Sequence, residues 1–139
     1  MPIMSYRVLL PILALLAGCA GAPPQAPAGK QNFRQAFEGG LVLDYEVDTR
    51  YSSLDKNTCY AFLSGTLTNH GPYTLSRRSK VEFKVYHGDA LLFRDFTYLL
   101  GDLAPGGRAQ LDMTQSPLHR NGCPTYDRID TALQKIVLQ

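Results

Sequence analysis

Two stretches of strict alternation constrain this chain most. In residues 41–48, Leu43, Tyr45 and Val47 alternate with Asp44, Glu46 and Asp48. In residues 80–86, Val81, Phe83 and Val85 alternate with Lys80, Glu82 and Lys84. A period of two with one polar face is the mark of a half-buried strand; on a helix the same order would scatter the apolar side chains around the axis. The fold must therefore supply sheets, and something apolar to cover one face of each.

The other elements follow from turn chemistry. Residues 59–69 read as a strand that stops at Asn69-His70-Gly71-Pro72. His87-Gly88-Asp89 turns the chain, and residues 91–100 return as the hairpin partner of 80–86. Leu103-Ala104-Pro105-Gly106-Gly107 is a further turn leading into residues 108–113. Phe33 and Phe37, four apart, suggest a short helix or an irregular lead-in over residues 31–38. The tail reads two ways: Ile129, Ala132, Leu133, Ile136 and Val137 stand at helical spacing, whereas Lys135-Ile136-Val137-Leu138 suits a last strand that joins the sheet. The strand is preferred, because the other elements form an antiparallel sheet. Six or so short strands suggest a mainly β, antiparallel sandwich. A chain of 139 residues, 45% of them hydrophobic, suits one such domain and excludes a coiled coil, collagen or a fully disordered chain.

Before that domain lies a segment of another kind. After Arg7, residues 8–17 form an apolar run of roughly 15 Å as a helix, against roughly 30 Å for a bilayer core. That is too short to span and the right length for the core of a secretory signal. It ends in Leu16-Ala17-Gly18-Cys19, which resembles the lipobox of bacterial lipoproteins. The resemblance implies a signal peptide at residues 1–18, a diacylglyceryl thioether on Cys19 and an acylated, palmitate-type amino end. The other reading is a conventional cut near Ala20-Gly21-Ala22. Several acyl chains would make the membrane attachment effectively permanent. Ala20 stands where an Asp would resemble the inner-membrane retention signal, so the expected place is the outer membrane, facing the periplasm. Residues 19–32, rich in Pro and Ala, read as an extended, solvated tether, and residues 33–139 as the single sandwich domain.

Cysteine usage agrees with that compartment. Apart from Cys19 there remain Cys59 and Cys123, an even number in an oxidising space, and a disulfide between them is expected. Two free core thiols or half of a metal site are the alternatives. No Cys-x-x-Cys is present and His70, His87 and His119 lack regular ligand spacing, so neither a metal nor another cofactor is expected.

Three motifs point to a family. Phe62-Leu63-Ser64-Gly65-Thr66-Leu67-Thr68-Asn69 resembles the "x-G-x-x-x-N" strand of FxLYD-type, immunoglobulin-like domains of bacterial envelope proteins. Phe83-Lys84-Val85-Tyr86-His87 is similar to the motif that names the family, with Val85 for Leu and His87 for Asp. Leu103-Ala104-Pro105-Gly106 is similar to its "L-x-P-G" turn. The resemblance covers about residues 58–113 and implies an immunoglobulin-like sandwich without any particular enzyme activity.

Candidate chemistry is sparse. Ser64 lies within a strand and not on a nucleophile elbow. Asp44, Glu46 and Asp48 read as a solvated sheet face, and His70 and His119 as loop residues. Arg77, Arg78 and Lys80 form a basic cluster that suits an acidic partner or a phosphate-bearing glycolipid. A net charge of +2 gives little general attraction to nucleic acid, and none is expected as a partner. The expected function is that of a non-enzymatic, lipid-anchored protein that binds an envelope protein partner or supports an envelope or secretion assembly. A binder of small molecules or glycans, with its pocket lined by Tyr45, Tyr51, Tyr60, Tyr86, Tyr98 and Tyr126, is the alternative; a hydrolase is a more distant one.

Overall fold

A computed structural model describes residues 25–26, 29–52, 54, 56–120 and 122–139; the signal segment, Cys19 and most of the tether lie outside the described residues. The described residues form ten strands: β1 (Gln25–Ala26), β2 (Gly29–Phe37), β3 (Leu41–Tyr51), β4 (Thr58–Asn69), β5 (Lys80–His87), β6 (Ala90–Tyr98), β7 (Arg108–Gln110), β8 (Thr114–Arg120), β9 (Cys123–Pro124) and β10 (Arg128–Gln134). The first sheet runs β2-β3-β4, with β7 and β8 pairing successive parts of the far edge of β4; the second runs β10-β5-β6. All of these ladders are antiparallel, and β1 pairs with β9 as a small separate sheet. The two larger sheets pack face to face as a sandwich.

Alternation in the sequence becomes alternation of burial. Leu41, Leu43, Tyr45 and Val47 of β3 and Cys59, Ala61, Leu63 and Leu67 of β4 face Val81, Phe83 and Val85 of β5 in one core. The β3–β4 register sets Leu43 opposite Leu67 and Val47 opposite Leu63. Between those pairs Tyr45 lies opposite Gly65, and a Cβ on Gly65 would fall 2.8 Å from the Asp44 carbonyl oxygen. The glycine of the Ser64-Gly65 step is thus required by the approach of two backbones. Phe33 stacks on Tyr45 with ring centroids 5.1 Å apart, and Tyr45 meets Phe83 of the opposite sheet at 5.2 Å.

Four local expectations change. Residues 31–38 are not a helix but most of β2, joined to β3 by a turn at Gly39 and Gly40, both at positive φ. A spacing of four fits either period, and the two glycines fold the chain back as a hairpin. Pairing starts at Gly29 opposite Thr49, so part of the segment read as tether is in the sheet. His119, read as a loop residue, stands in β8 opposite Cys59. The pattern of β8 is obscured by Pro117 and by a bulge in which Leu118 is the extra, buried residue. The last strand does join a sheet, beside β5, but occupies Arg128–Gln134 and not residues 135–138, which have only an isolated bridge at Val137.

Each end of β4 is tied down differently. At one end Cys59 is bonded to Cys123, which closes a loop with a sequence separation of 64. Closing a loop of that size stabilises by about 4 kcal/mol in the chain-entropy picture. At the other end Asn69 is buried. Its Nδ2 donates to the carbonyls of Tyr73 (2.7 Å) and Leu103 (3.2 Å), and its Oδ1 accepts from the Gly71 amide at 2.9 Å. Its own N–H donates to the Gly107 carbonyl and its carbonyl accepts from the Gly106 amide, so this one residue lashes two loops together. Asn69→Ala strands the Tyr73 carbonyl and the Gly71 amide, and is expected to lower unfolding free energy by about 2 kcal/mol in urea denaturation. Asn69→Asp, which cannot donate, is expected to do no better; a variant as stable as the parent would refute this role.

Candidate functional site

The basic cluster is split between a turn and a strand. Ser79 N–H donates to the Ser76 carbonyl at 2.9 Å, which makes residues 76–79 a β-turn with Arg77 and Arg78 at its two central positions. Both flanking serines are buried and hold the C-terminal segment: Ser76 N–H donates to the Ile136 carbonyl at 2.7 Å, and Ile136 N–H to Ser79 Oγ at 3.0 Å. Asp102 Oδ1 accepts from the Arg77 amide and Ser76 Oγ from the Arg78 amide. With its amides and both flanking serines held in this way, the turn presents its two arginine side chains to water. Both arginines are exposed, and neither guanidinium has an ion-pair partner among the described residues.

Lys80 belongs to a neighbouring surface. It opens β5, and its Nζ lies 4.9 Å from the centroid of the Phe96 ring on the outer face of the second sheet. Phe96 in turn meets Tyr98 edge to face at 5.8 Å, and both rings are about half exposed. The exposed basic turn therefore adjoins a small aromatic shelf.

The acidic stripe is balanced by cations. Arg34 reaches Asp44 at 2.7 Å, Lys30 reaches Glu46 at 3.8 Å, and Arg50 reaches Asp48 at 3.5 Å. Two of the three cations come from β2, whose strand character the sequence concealed. Asp44 is drawn below the ordinary carboxylate range, first by its hydrogen bond from Arg34. On the other sheet Glu82, bonded by Arg94 at 2.6 Å, is lowered for the same reason. Beside this stripe lies a groove of about 550 Å³, lined among others by Asp44, Glu46, Ser64, Thr66 and Met113. No histidine lines it.

The six tyrosines do not converge. Tyr45 points into the core with Tyr126 close by, Tyr51 is exposed at the end of β3, Tyr60 lies on the outer face of the first sheet, and Tyr86 and Tyr98 lie on the outer face of the second. His70 follows β4, its amide bonded to Gly40, while His87 ends β5 with Nδ1 3.3 Å from Thr125 Oγ1. Among the described residues no group of three or more His, Cys, Asp or Glu is placed to hold a metal ion. No helix among them is long and apolar enough to cross a membrane. No family model matches the chain, and neither a curated protein nor a solved structure does.

Two tyrosines set a limit at high pH. Burial pushes Tyr45 up to about 12, with the neighbouring Tyr126 adding to the effect, and burial pushes Tyr126 to about 12 as well. A pKa raised by folding gives stability that is present below the unfolded value, about 10, and is lost as pH climbs through the folded value. The lowered Asp44 and Glu82 act in the opposite sense: their contribution is present above the ordinary carboxylate range and is lost as pH falls below it. Melting temperature against pH is expected to show a plateau with an acid and an alkaline fall. Tyr45→Phe should lessen the alkaline fall alone, and an unchanged alkaline limb in that variant would refute the assignment.

Proposed function

We propose that this chain is a non-enzymatic lipoprotein of the outer membrane, anchored through Cys19 in the periplasmic leaflet, that binds an envelope protein partner or supports an envelope or secretion assembly. The observation that carries the reading is the separation of the two ends of the sandwich. The N-terminal segment meets the domain at β1, paired with β9 beside the Cys59–Cys123 bond. The Arg77–Arg78 turn follows the opposite end of β4, whose twelve residues span roughly 40 Å. An anchored domain with that polarity holds its unpaired arginines away from the lipid, where a partner carrying acidic groups can reach them. Charges so placed steer and orient a partner more than they add affinity.

The FxLYD-type, immunoglobulin-like assignment belongs to the same proposal. It is supported by the structural duties of its motif residues: Gly65 under the approach of β3, Asn69 as the tie between loops, and Leu103 buried beneath a turn in which Gly106 has φ +77°. None of those duties is catalytic.

Cys19→Ser is expected to abolish fatty-acid labelling and to release the protein into the soluble periplasmic fraction. Persistent acylation in that variant would defeat the anchor. With the anchor intact, a photo-crosslinker at Arg78 should capture a recurrent protein, and Arg77→Glu with Ser79 retained should lower its yield several-fold and reduce its dependence on salt. Should the arginines prove silent while His70→Ala or His87→Ala abolishes the cellular phenotype, the contact function gives way to an enzyme or metal site.

A further inference from the structure

We propose that β2 is a self-pairing edge, through which two copies of this chain join in an antiparallel β2–β2 ladder centred on Phe33. The proposal does not rest on the function argued above; it rests on the edge itself. Among the described residues β2 pairs with β3 alone, through nine residues in unbroken register from Gly29–Thr49 to Phe37–Leu41. The other free edges are less regular. The β5–β6 ladder is bulged at Leu92, and the end of β6 is bonded to the segment after β7, where Asp112 N–H donates to the Tyr98 carbonyl. The β10 edge has seven residues.

Strand edges are ordinarily guarded by proline, bulges or inward-pointing charges, because their unpaired amides and carbonyls recruit other strands. β2 has no proline, no bulge and no inward-pointing charge, and its only charges are two cations. Its two cations, Lys30 and Arg34, lie on the outer face and are held by Glu46 and Asp44. At its far end the Ala36 carbonyl accepts from the neighbouring Gln35 Nε2 at 2.9 Å, a local side-chain bond where a second strand would bond. Its inner face is also incompletely covered, since the second sheet has only three strands. Phe33 and Phe37 are only partly buried against the core, and Gln31 and Gln35, on the same face, are exposed.

The sequence of β2 selects a second copy of itself, and one register. Around a two-fold axis at Phe33, Phe33 meets its counterpart, Gln31 meets Gln35, and Phe37 meets Gly29, where the space beside the glycine is open. On the outer face Asn32 meets Arg34 and Lys30 meets Ala36, so no cation opposes a cation. Moving the axis to Asn32 sets Lys30 against Arg34 twice; moving it to Arg34 sets that residue against itself. Like charges directly opposite are destabilising on a sheet. The charges therefore exclude the two adjacent registers, and the register centred on Phe33 pairs all nine residues of the strand.

The test uses the full chain purified in neutral detergent. Under mild oxidation Phe33→Cys should form a disulfide-linked dimer in high yield, whereas Gln31→Cys, four positions from its own counterpart in this register, should not. Phe33 also packs on Tyr45, so a surface pair of variants provides a second measurement that leaves the core intact. Asn32→Arg, which sets two arginines opposite each other at two places, should weaken dimerisation in sedimentation equilibrium by about tenfold or more. Asn32→Glu should strengthen it. A monomer at every concentration, with the Phe33→Cys variant unlinked, would overturn the proposal, as would equal linking at positions 31 and 33, or equal dimerisation by Asn32→Arg and Asn32→Glu. An edge filled by an earlier segment of the same chain gives the first of these results and counts against it.

Discussion

Eleven residues of β3 face eleven of β4, from Leu41 opposite Asn69 to Tyr51 opposite Cys59. Because a strand has a period of two, that register puts every apolar side chain of the shared core on the same face, and a slip of one residue would turn all of them to water. Gly65 supports the register from within, since a Cβ there would collide with the Asp44 carbonyl oxygen and with Tyr45. The ladder then serves as a spine. β2 extends it on one edge, β7 and β8 share the other, and β5 closes the core from the opposite sheet.

Both ends of the spine are fastened by chemistry other than apolar packing. Asn69 spends its side-chain groups on three backbone partners in two loops, so the arginine turn that follows starts from a fixed point. Cys59 holds Cys123, and through β9 the first described residues, β1, are drawn to that same end. The sandwich thereby has a polarity: the chain arrives at one end, and the Arg77–Arg78 turn stands at the other.

The surface charges do a different kind of work. Ion pairs as exposed as Arg34–Asp44 and Arg94–Glu82 are screened by water and add little to stability. What they accomplish is local neutrality. The acidic side chains of β3 are matched by Lys30, Arg34 and Arg50, which leaves that outer sheet face largely balanced. Against that background Arg77 and Arg78 are two adjacent cations without an ion-pair partner among the described residues. Lys80, one residue beyond the turn, is instead drawn over Phe96.

The sequence by itself determined the strands whose two faces differ in polarity, namely β3, β5 and the hairpin of β5 with β6, because alternation is a local property. It also pointed to a bond between Cys59 and Cys123, with free thiols as the alternative, and the structure joins them. It did not determine β2, whose Phe33 and Phe37 fit either period, nor β8, whose pattern is broken by Pro117 and the bulge at Leu118. Those strands exist because neighbouring edges offer them hydrogen bonds, and edge partners lie far away in sequence. The same distance decided the site. Arg77 and Arg78 were legible as a basic cluster, but their freedom from carboxylates was not, because it depends on where Asp102 points and on which cations β2 brings to Asp44 and Glu46. Only the tertiary structure could separate the paired charges from the unpaired ones, since an ion pair is made by proximity in space and the sequence records proximity along the chain.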